Sequence, residues 1–464
     1  MRAPIAVTID SRTASTAKDA RPVNCYVDTE SEVQYVYKRP GSTLITYSPT
    51  ISNGTGYGLT SFNGKLYSAI GTSMYEVTSA GATTSKGTIS AGRLSFAATS
   101  ETPYLFFHNG SNGYTINGST GAFAEVTDVD FPTKQTPALT LASGAVYLDD
   151  MVFVMTTTGR IYNSAIENPT SWGALDYISK TAEPDGGVAI AKHLSFILTW
   201  GSWSTEFFYN AGIATGSPLD RAASYKANIG CASGDSVVTF AQTVAWLGQA
   251  QETGRAVYMM EGTTPIKIST AAVERYLNAS TLVSLDAFAL TIAGHTLYVL
   301  NLPDLNITLV CDINEKRWYQ WSTDSAGSDI VWKYGDFASL GGVSYVQNRT
   351  TGKLSTLSTT VYQEEGNNIN YRIVTPRIDM KSNKRKFWKA LEVIGDKTAG
   401  TLQVRHSDDD YTTWSSYRNI DISLERPILR QLGSARRRAY ELFCTSNVAI
   451  KLQAIELVIT EGTF

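Results

Sequence analysis

The sequence predicts an all-β protein: a β-propeller of about seven blades, six to eight allowed, followed by a C-terminal β-sandwich. Three observations carry this. Apolar runs of four to seven residues alternate with Gly, Asn, Asp and Thr clusters, and no long amphipathic helix interrupts them. A glycine turn leading into an aromatic-bearing strand recurs, as NGKLY at Asn63, NGYTI at Asn112, TGRIY at Thr158, TGRAVY at Thr253, AGHTLY at Ala293 and GGVSY at Gly341. The aromatics Tyr67, Tyr114, Tyr162, Phe208, Tyr258, Tyr298 and Tyr345 are separated by 47, 48, 46, 50, 40 and 47 residues. A four-stranded sheet of about 40 to 50 residues cannot cover both its faces alone, so sheets at this period stack around an axis and bury one another.

In chain order, residues 1–45 read as an amino-terminal arm, 46–371 as the propeller and 372–464 as the sandwich. One blade is legible in detail. Within EPDGGVAIAKHLSFILTWGSWSTEFFYNAG, residues 183–212, strands are expected at 187–191, 195–199 and 205–209, with KHL and GSWS as turns. The one short helical candidate is TAAVERYLNAS, 270–280. Beyond Tyr371 the strands lengthen, with examples at 390–394 and 401–406, as a sandwich of about 90 residues requires.

Composition narrows the function classes. Charged residues are 17%, below the usual share of about a quarter, while Gly, Ser, Thr and Tyr are abundant. Cys25, Cys231, Cys311 and Cys444 form no C-x-x-C pair, which predicts buried free thiols, not a zinc site or disulfide framework. The start, MRAPIAVTIDSRTAST, lacks a signal-peptide core, and no segment approaches a membrane span, so folding in cytoplasm without membrane insertion is expected. On that ground the N-x-[ST] sequons, such as those at Asn53 and Asn306, are discounted.

No catalytic, cofactor or metal residues are assigned. SDDDYTTW, 407–414, matches the Asp-box pattern except that Tyr411 stands where Gly belongs; that pattern is a hairpin-turn device. Asp408, Asp409 and Asp410 diverge on a strand and make a poor metal site. His108, His193, His295 and His406 lie far apart and read as turn or surface residues. Glu206, Asp185 and Asp336 are conceivable members of a glycosidase carboxylate pair, but turn capping or solvated edge charge is the stronger reading of each.

Charge is divided unevenly. Through Thr375 the chain has 24 Lys+Arg and 31 Asp+Glu, net −7; the remainder has 15 and 11, net +4. Two basic clusters stand out: KSNKRKFWK, with Lys384, Arg385 and Lys386, and SARRRAYE, with Arg436, Arg437 and Arg438. These six are candidates for a contact with another subunit or with DNA, weighed against a solvated sandwich edge.

The order of several short stretches resembles a known family. ARPVNCYVDTE carries Pro22-Val23-Asn24, and KRPG carries Arg39-Pro40-Gly41; then come AEPDGGVAIAKHLSFILTWGSWSTEFFYNAG, YKANIGCAS and an Arg-rich run near the end. This resembles the packaged DNA stabilization proteins of short-tailed bacteriophages, which are tail hub or nozzle components. The resemblance implies a non-enzymatic virion-tail protein, assembled in the host cytoplasm as a homo-oligomer, expected to be a hexamer. It implies a ring below the portal and head-to-tail adaptor that contacts a tail needle or plug and tail spikes or fibres. Genomic DNA would pass through the lumen during ejection, and the ring would retain it after packaging. The alternatives are a propeller-based carbohydrate-active or receptor-binding tail protein, and a protein-interaction propeller of cellular origin.

Overall fold

The computed structural model describes residues 1–10 and 20–463. Six four-stranded blades follow one another along the chain. Blade 1 is Gly56–Phe62, Lys65–Ile70, Ser73–Val77 and Thr83–Thr88, and blade 2 is Ser95–Ala98, Tyr104–His108, Gly113–Asn117 and Phe123–Glu125. Blade 3 is Val146–Leu148, Met151–Met155, Arg160–Ala165 and Asn168–Ser179, and blade 4 is Ala189–His193, Phe196–Trp200, Thr205–Asn210 and Leu219–Ala227. In blade 5 the first strand is split into Gly230–Cys231 and Val238–Thr239, before Val244–Ala250, Thr253–Glu261 and Thr264–Lys267. Blade 6 is Asp286–Ile292, His295–Leu302, Ile307–Asp312 and Arg317–Ser325.

A further, composite sheet, blade 7, closes the circle. Tyr334–Leu340, Val343–Asn348 and Leu354–Ser358 take their fourth strand, Gly41–Leu44, from the amino-terminal segment. The first strand of each blade touches the first strand of the next, and Tyr334–Leu340 returns to Gly56–Phe62. The blade count lies within the expected range. The seven spaced aromatics fall one to each successive sheet.

The stacking that the period implied is visible in the cores. Separate clusters of buried side chains lie between adjacent blades. Tyr67, Met74, Leu105 and Phe107 lie between blades 1 and 2, and Phe153, Ile161, Ile190, Ile197 and Phe208 between blades 3 and 4. Each such side chain contributes about 1.5–3 kcal/mol by leaving water. The helix Ala271–Ala279 matches its expected position. Thr270 caps it by accepting the Val273 amide, and Ala272, Val273 and Leu277 pack into the core between blades 5 and 6.

The sandwich has two sheets. One runs Cys25–Glu30, Val33–Lys38, Lys451–Glu461, Lys386–Gly395 and Ile428–Arg430, with Arg2–Pro4 added beside Lys451–Glu461. The other contains Tyr371–Val374, Ala439–Cys444, Thr401–Ser407 and Arg418–Asp421. This second sheet continues through Arg21–Val23 into the outer strand of blade 6. The segment expected as an arm, 1–45, therefore supplies strands to both bodies, apart from 11–19, which lie outside the described residues. A single core, including Trp321, Trp332, Tyr371, Trp388, Leu391 and Leu442, spans blades 6 and 7 and the sandwich.

Candidate contact surface

The two basic clusters come together at one end of the sandwich. Lys386 pairs with Ala435 and Phe387 with Ser434, so the loops carrying 381–385 and 433–437 lie side by side. The six candidate residues then divide by role. Lys386 is fully buried, and its ammonium donates to the carbonyls of Ser382, Lys384 and Arg436 at 2.7, 2.9 and 2.8 Å. It ties the two loops to each other. Arg438 is also buried; it donates to both oxygens of Asp408 at 2.6 and 2.7 Å and lies over the Trp388 ring. Lys384, Arg385 and Arg436 are exposed, and Arg437 is half-buried. Arg385 reaches Ser434 at 3.0 Å and Arg436 reaches the Asn383 carbonyl at 2.8 Å. Lys381, Lys389 and a half-exposed Phe387 complete the outer surface.

The carboxylates considered for hydrolysis are elsewhere and are engaged. Asp185 accepts the amides of Trp203 and Ser204 at 3.0 and 2.8 Å, the capping role expected of it. Lys180 contacts Asp185 directly and lies 3.5 Å from Glu206; all three side chains are almost wholly buried. Burial raises the Asp185 carboxyl, but the Lys180 ammonium and the Trp203 amide outweigh it and hold it below the usual range. Glu206 is thus not a solvated edge charge: it sits between Lys180 and Arg221, because its strand, Thr205–Asn210, lies inside blade 4. A Cβ on Gly201 would come within 2.3 Å of the Asp185 carboxylate, which explains a glycine at the start of the GSWS turn.

Asp336 accepts the amides of Leu59 and Phe337 at 3.0 and 2.9 Å near the propeller axis. Burial pushes its carboxyl up, against the pull of Arg93. Arg93 donates to the carbonyls of Ala287 and Gly335, bridging from the start of blade 2 to blades 6 and 7. It borders an axial cavity of about 360 Å³ whose lining includes Ser143, Lys192 and Asp235. A space of that size admits no DNA duplex.

The histidines correct one expectation. His108 and His193 are buried, not at the surface, because each hydrogen-bonds a backbone carbonyl, Gly144 and Gly262 respectively, across a blade boundary. Burial holds the His108 imidazole down at about 4. Asp408, Asp409 and Asp410 diverge: Asp408 pairs with Arg438, Asp410 with Arg377, and Asp409 accepts the Thr413 amide. The last contact is the turn device that SDDDYTTW predicted. All four cysteines are buried and free, and no helix among the described residues is long and apolar enough to cross a membrane.

One site escaped the sequence reading. Arg39 is wholly buried and donates to Asn24 at 2.9 Å, to the Ser322 carbonyl at 2.9 Å and to Glu364 at 2.7 Å, with its guanidinium over the Trp332 ring. Glu364 also accepts from the Trp332 indole at 2.8 Å. A Cβ on Gly41 would lie 2.3 Å from the Gln363 carbonyl. The stretches containing Pro22-Val23-Asn24 and Arg39-Pro40-Gly41 are therefore a clasp joining the closing strand, blade 6 and the sandwich.

With this closed propeller in view, a family model described as Bacteriophage P22 Gp10, beta-propeller, matches residues 1–362. The chain belongs to that family, Phage_stabilise. It is a phage DNA stabilization protein, a member of a family of structural virion proteins. The matched span covers the propeller and the amino-terminal strands; the basic end of the sandwich lies beyond it. No curated protein matches. Among solved structures, the N-terminal domain of Nup159 is 10% identical, with 73% of this chain and 99% of that one covered, at a TM-score of 0.41. BBS1N in complex with ARL6DN is 12% identical, covering 69% and 98%, at 0.43. PorZ of Porphyromonas gingivalis is 11% identical, covering 82% and 46%, at 0.40. These three carry no functional argument.

Proposed function

We propose that this phage stabilization protein assembles as a sixfold ring below the portal and adaptor, retains the packaged genome and forms the conduit for its ejection. The observation that carries the reading is membership of the P22 Gp10 family across the propeller. The shared core of propeller and sandwich is compatible with it, because it makes a stiff subunit, and a heterologous interface between such subunits gives a ring when its rotation closes. In such a ring the DNA path lies between subunits, since the axial space of each propeller is too small. A net charge of −7 through residue 375 would keep phosphates from adhering along most of that path. Adaptor ring, tail needle or plug, and spikes or fibres are the partners of this reading. The hydrolase alternative gains nothing from Asp185 and Glu206, which are buried around Lys180.

Particles assembled without this chain test the proposal. The expected result is filled heads that lose nuclease-protected DNA after packaging. Particles that keep their genome and infect normally would overturn it.

A further inference from the structure

We propose that the basic end of the sandwich is a contact for the phosphate backbone of duplex DNA, and that this end, not the propeller, borders the DNA path. The placement rests on the ring reading above; the DNA contact itself does not. Lys381, Lys384, Arg385, Lys389 and Arg436 are exposed on two loops and one strand that Lys386 and the Lys386–Ala435 pairing hold together. Among the described residues no ion pair links any of these five to a carboxylate. Many cations elsewhere are committed, as Lys180 is to Asp185, Arg349 to Asp286, Arg405 to Glu441 and Arg426 to Glu392, and exposed cations without an ion pair, such as Lys192 and Lys316, are scattered singly in the sequence, not gathered on adjoining loops. Two carboxylates lie on the same loops and strand ends and keep their charge, leaving the five cations in excess. Glu461 accepts from the Ser382 hydroxyl, and Asp379 accepts the Lys381 amide at 2.9 Å.

The chemistry selects the occupant. Cores of protein interfaces are depleted in lysine, and this surface is mostly lysine and arginine around one aromatic ring, Phe387. Phosphates suit it better: cations on long side chains displace condensed counterions without reading sequence. Contacts of this kind are weak at physiological salt and allow sliding, so a ring of them steadies a duplex without blocking its exit. The net charge of −7 through residue 375 makes the contact local.

The test uses the purified full-length chain, a labelled 30-base-pair duplex of arbitrary sequence, and anisotropy titrations at several salt concentrations. Five phosphate contacts give a slope of about −4.5 in log K against log salt, a loss of about 500-fold between 50 and 200 mM. The triple variant Lys381→Ala/Lys384→Ala/Lys389→Ala should fall to a slope of about −1.8 and a loss of about 12-fold. Its thermal midpoint should be unchanged, because all three side chains are exposed. Lys226→Ala, which removes a cation paired with Glu183 on blade 4, should keep the wild-type slope. A triple variant with the wild-type slope, or no duplex binding by the wild type at 50 mM salt, overturns the proposal. So does a triple variant that binds duplex normally but no longer joins heads, which would make the patch a protein contact. Loss of slope in a chain that never forms a ring on heads would leave the DNA contact standing and remove only its placement.

Discussion

Arg39→Met tests how the protein is held closed. The substitution removes donors to Asn24, Ser322 and Glu364 and leaves the Glu364 carboxylate, 2% exposed, with the Trp332 indole and Lys333 at 3.7 Å as its remaining partners. Breaking a buried pair by deleting one charge costs about 3–5 kcal/mol. An unfolding entropy of about 2.1 cal/mol/K per residue gives roughly 1 kcal/mol/K if all 464 residues melt together. The midpoint should therefore fall by about 3–5 °C. The shared core of propeller and sandwich should keep the melt a single transition in the variant. Arg39→Met/Glu364→Leu should melt above the single variant, since no charge is then left uncompensated. A single variant that melts with the wild type, or a double variant that melts lower still, would refute the clasp.

Three further outcomes follow from particular contacts. Gly41→Ala, with its new Cβ 2.3 Å from the Gln363 carbonyl, should prevent the last blade from closing and yield mostly insoluble protein; soluble protein with a wild-type melt would contradict this. Lys180→Met strands Asp185 and Glu206 in a buried site and should lower the midpoint by about 3–5 °C, whereas Lys226→Ala on the surface should change it by less than about 1 °C. His295 is held above its ordinary pKa, first by its hydrogen bond to Asp312 and further by the charges of Asp28 and Glu315, with Tyr26 packed against the ring. A raised pKa adds stability that is present below the unfolded value of about 6.5 and is lost as pH rises through the folded one. His295→Gln should thus melt below the wild type at pH 6, and the gap should narrow by pH 9.

The propeller was legible because its physics repeats. Each sheet buries an aromatic against its neighbour, so Tyr67 through Tyr345 mark seven successive sheets. The unequal gaps have a cause. Tyr67, Tyr298 and Tyr345 lie on second strands, while Tyr114, Tyr162, Phe208 and Tyr258 lie on third strands. The 40-residue gap before Tyr298 is the slip from third to second. Closure was not legible. Gly41–Leu44 pairs with Leu354–Ser358, and Arg39 meets Glu364, across more than 300 residues, and nothing local in either stretch names its partner.

The candidate surface was legible as composition but not as geometry. Periodicity gave no way to separate Lys386 and Arg438, which are buried and bind carbonyls or Asp408, from Lys384 and Arg436, which point outward. The strand Lys386–Gly395 sets Lys386 and Trp388 inward and Phe387 and Lys389 outward, and the run KFWK, with an apolar and a basic residue on each face, does not show which face is buried. Glu206 was misplaced for a related reason. A carboxylate beside two phenylalanines reads as an edge, and only the fold brings Lys180 beneath it.

Mass measurement of the purified chain, alone and after mixing with adaptor-bearing heads, tests the central claim most directly. The account predicts a monomer in isolation and six copies added per head. A monomer that never joins heads, or a stoichiometry other than six, would contradict it.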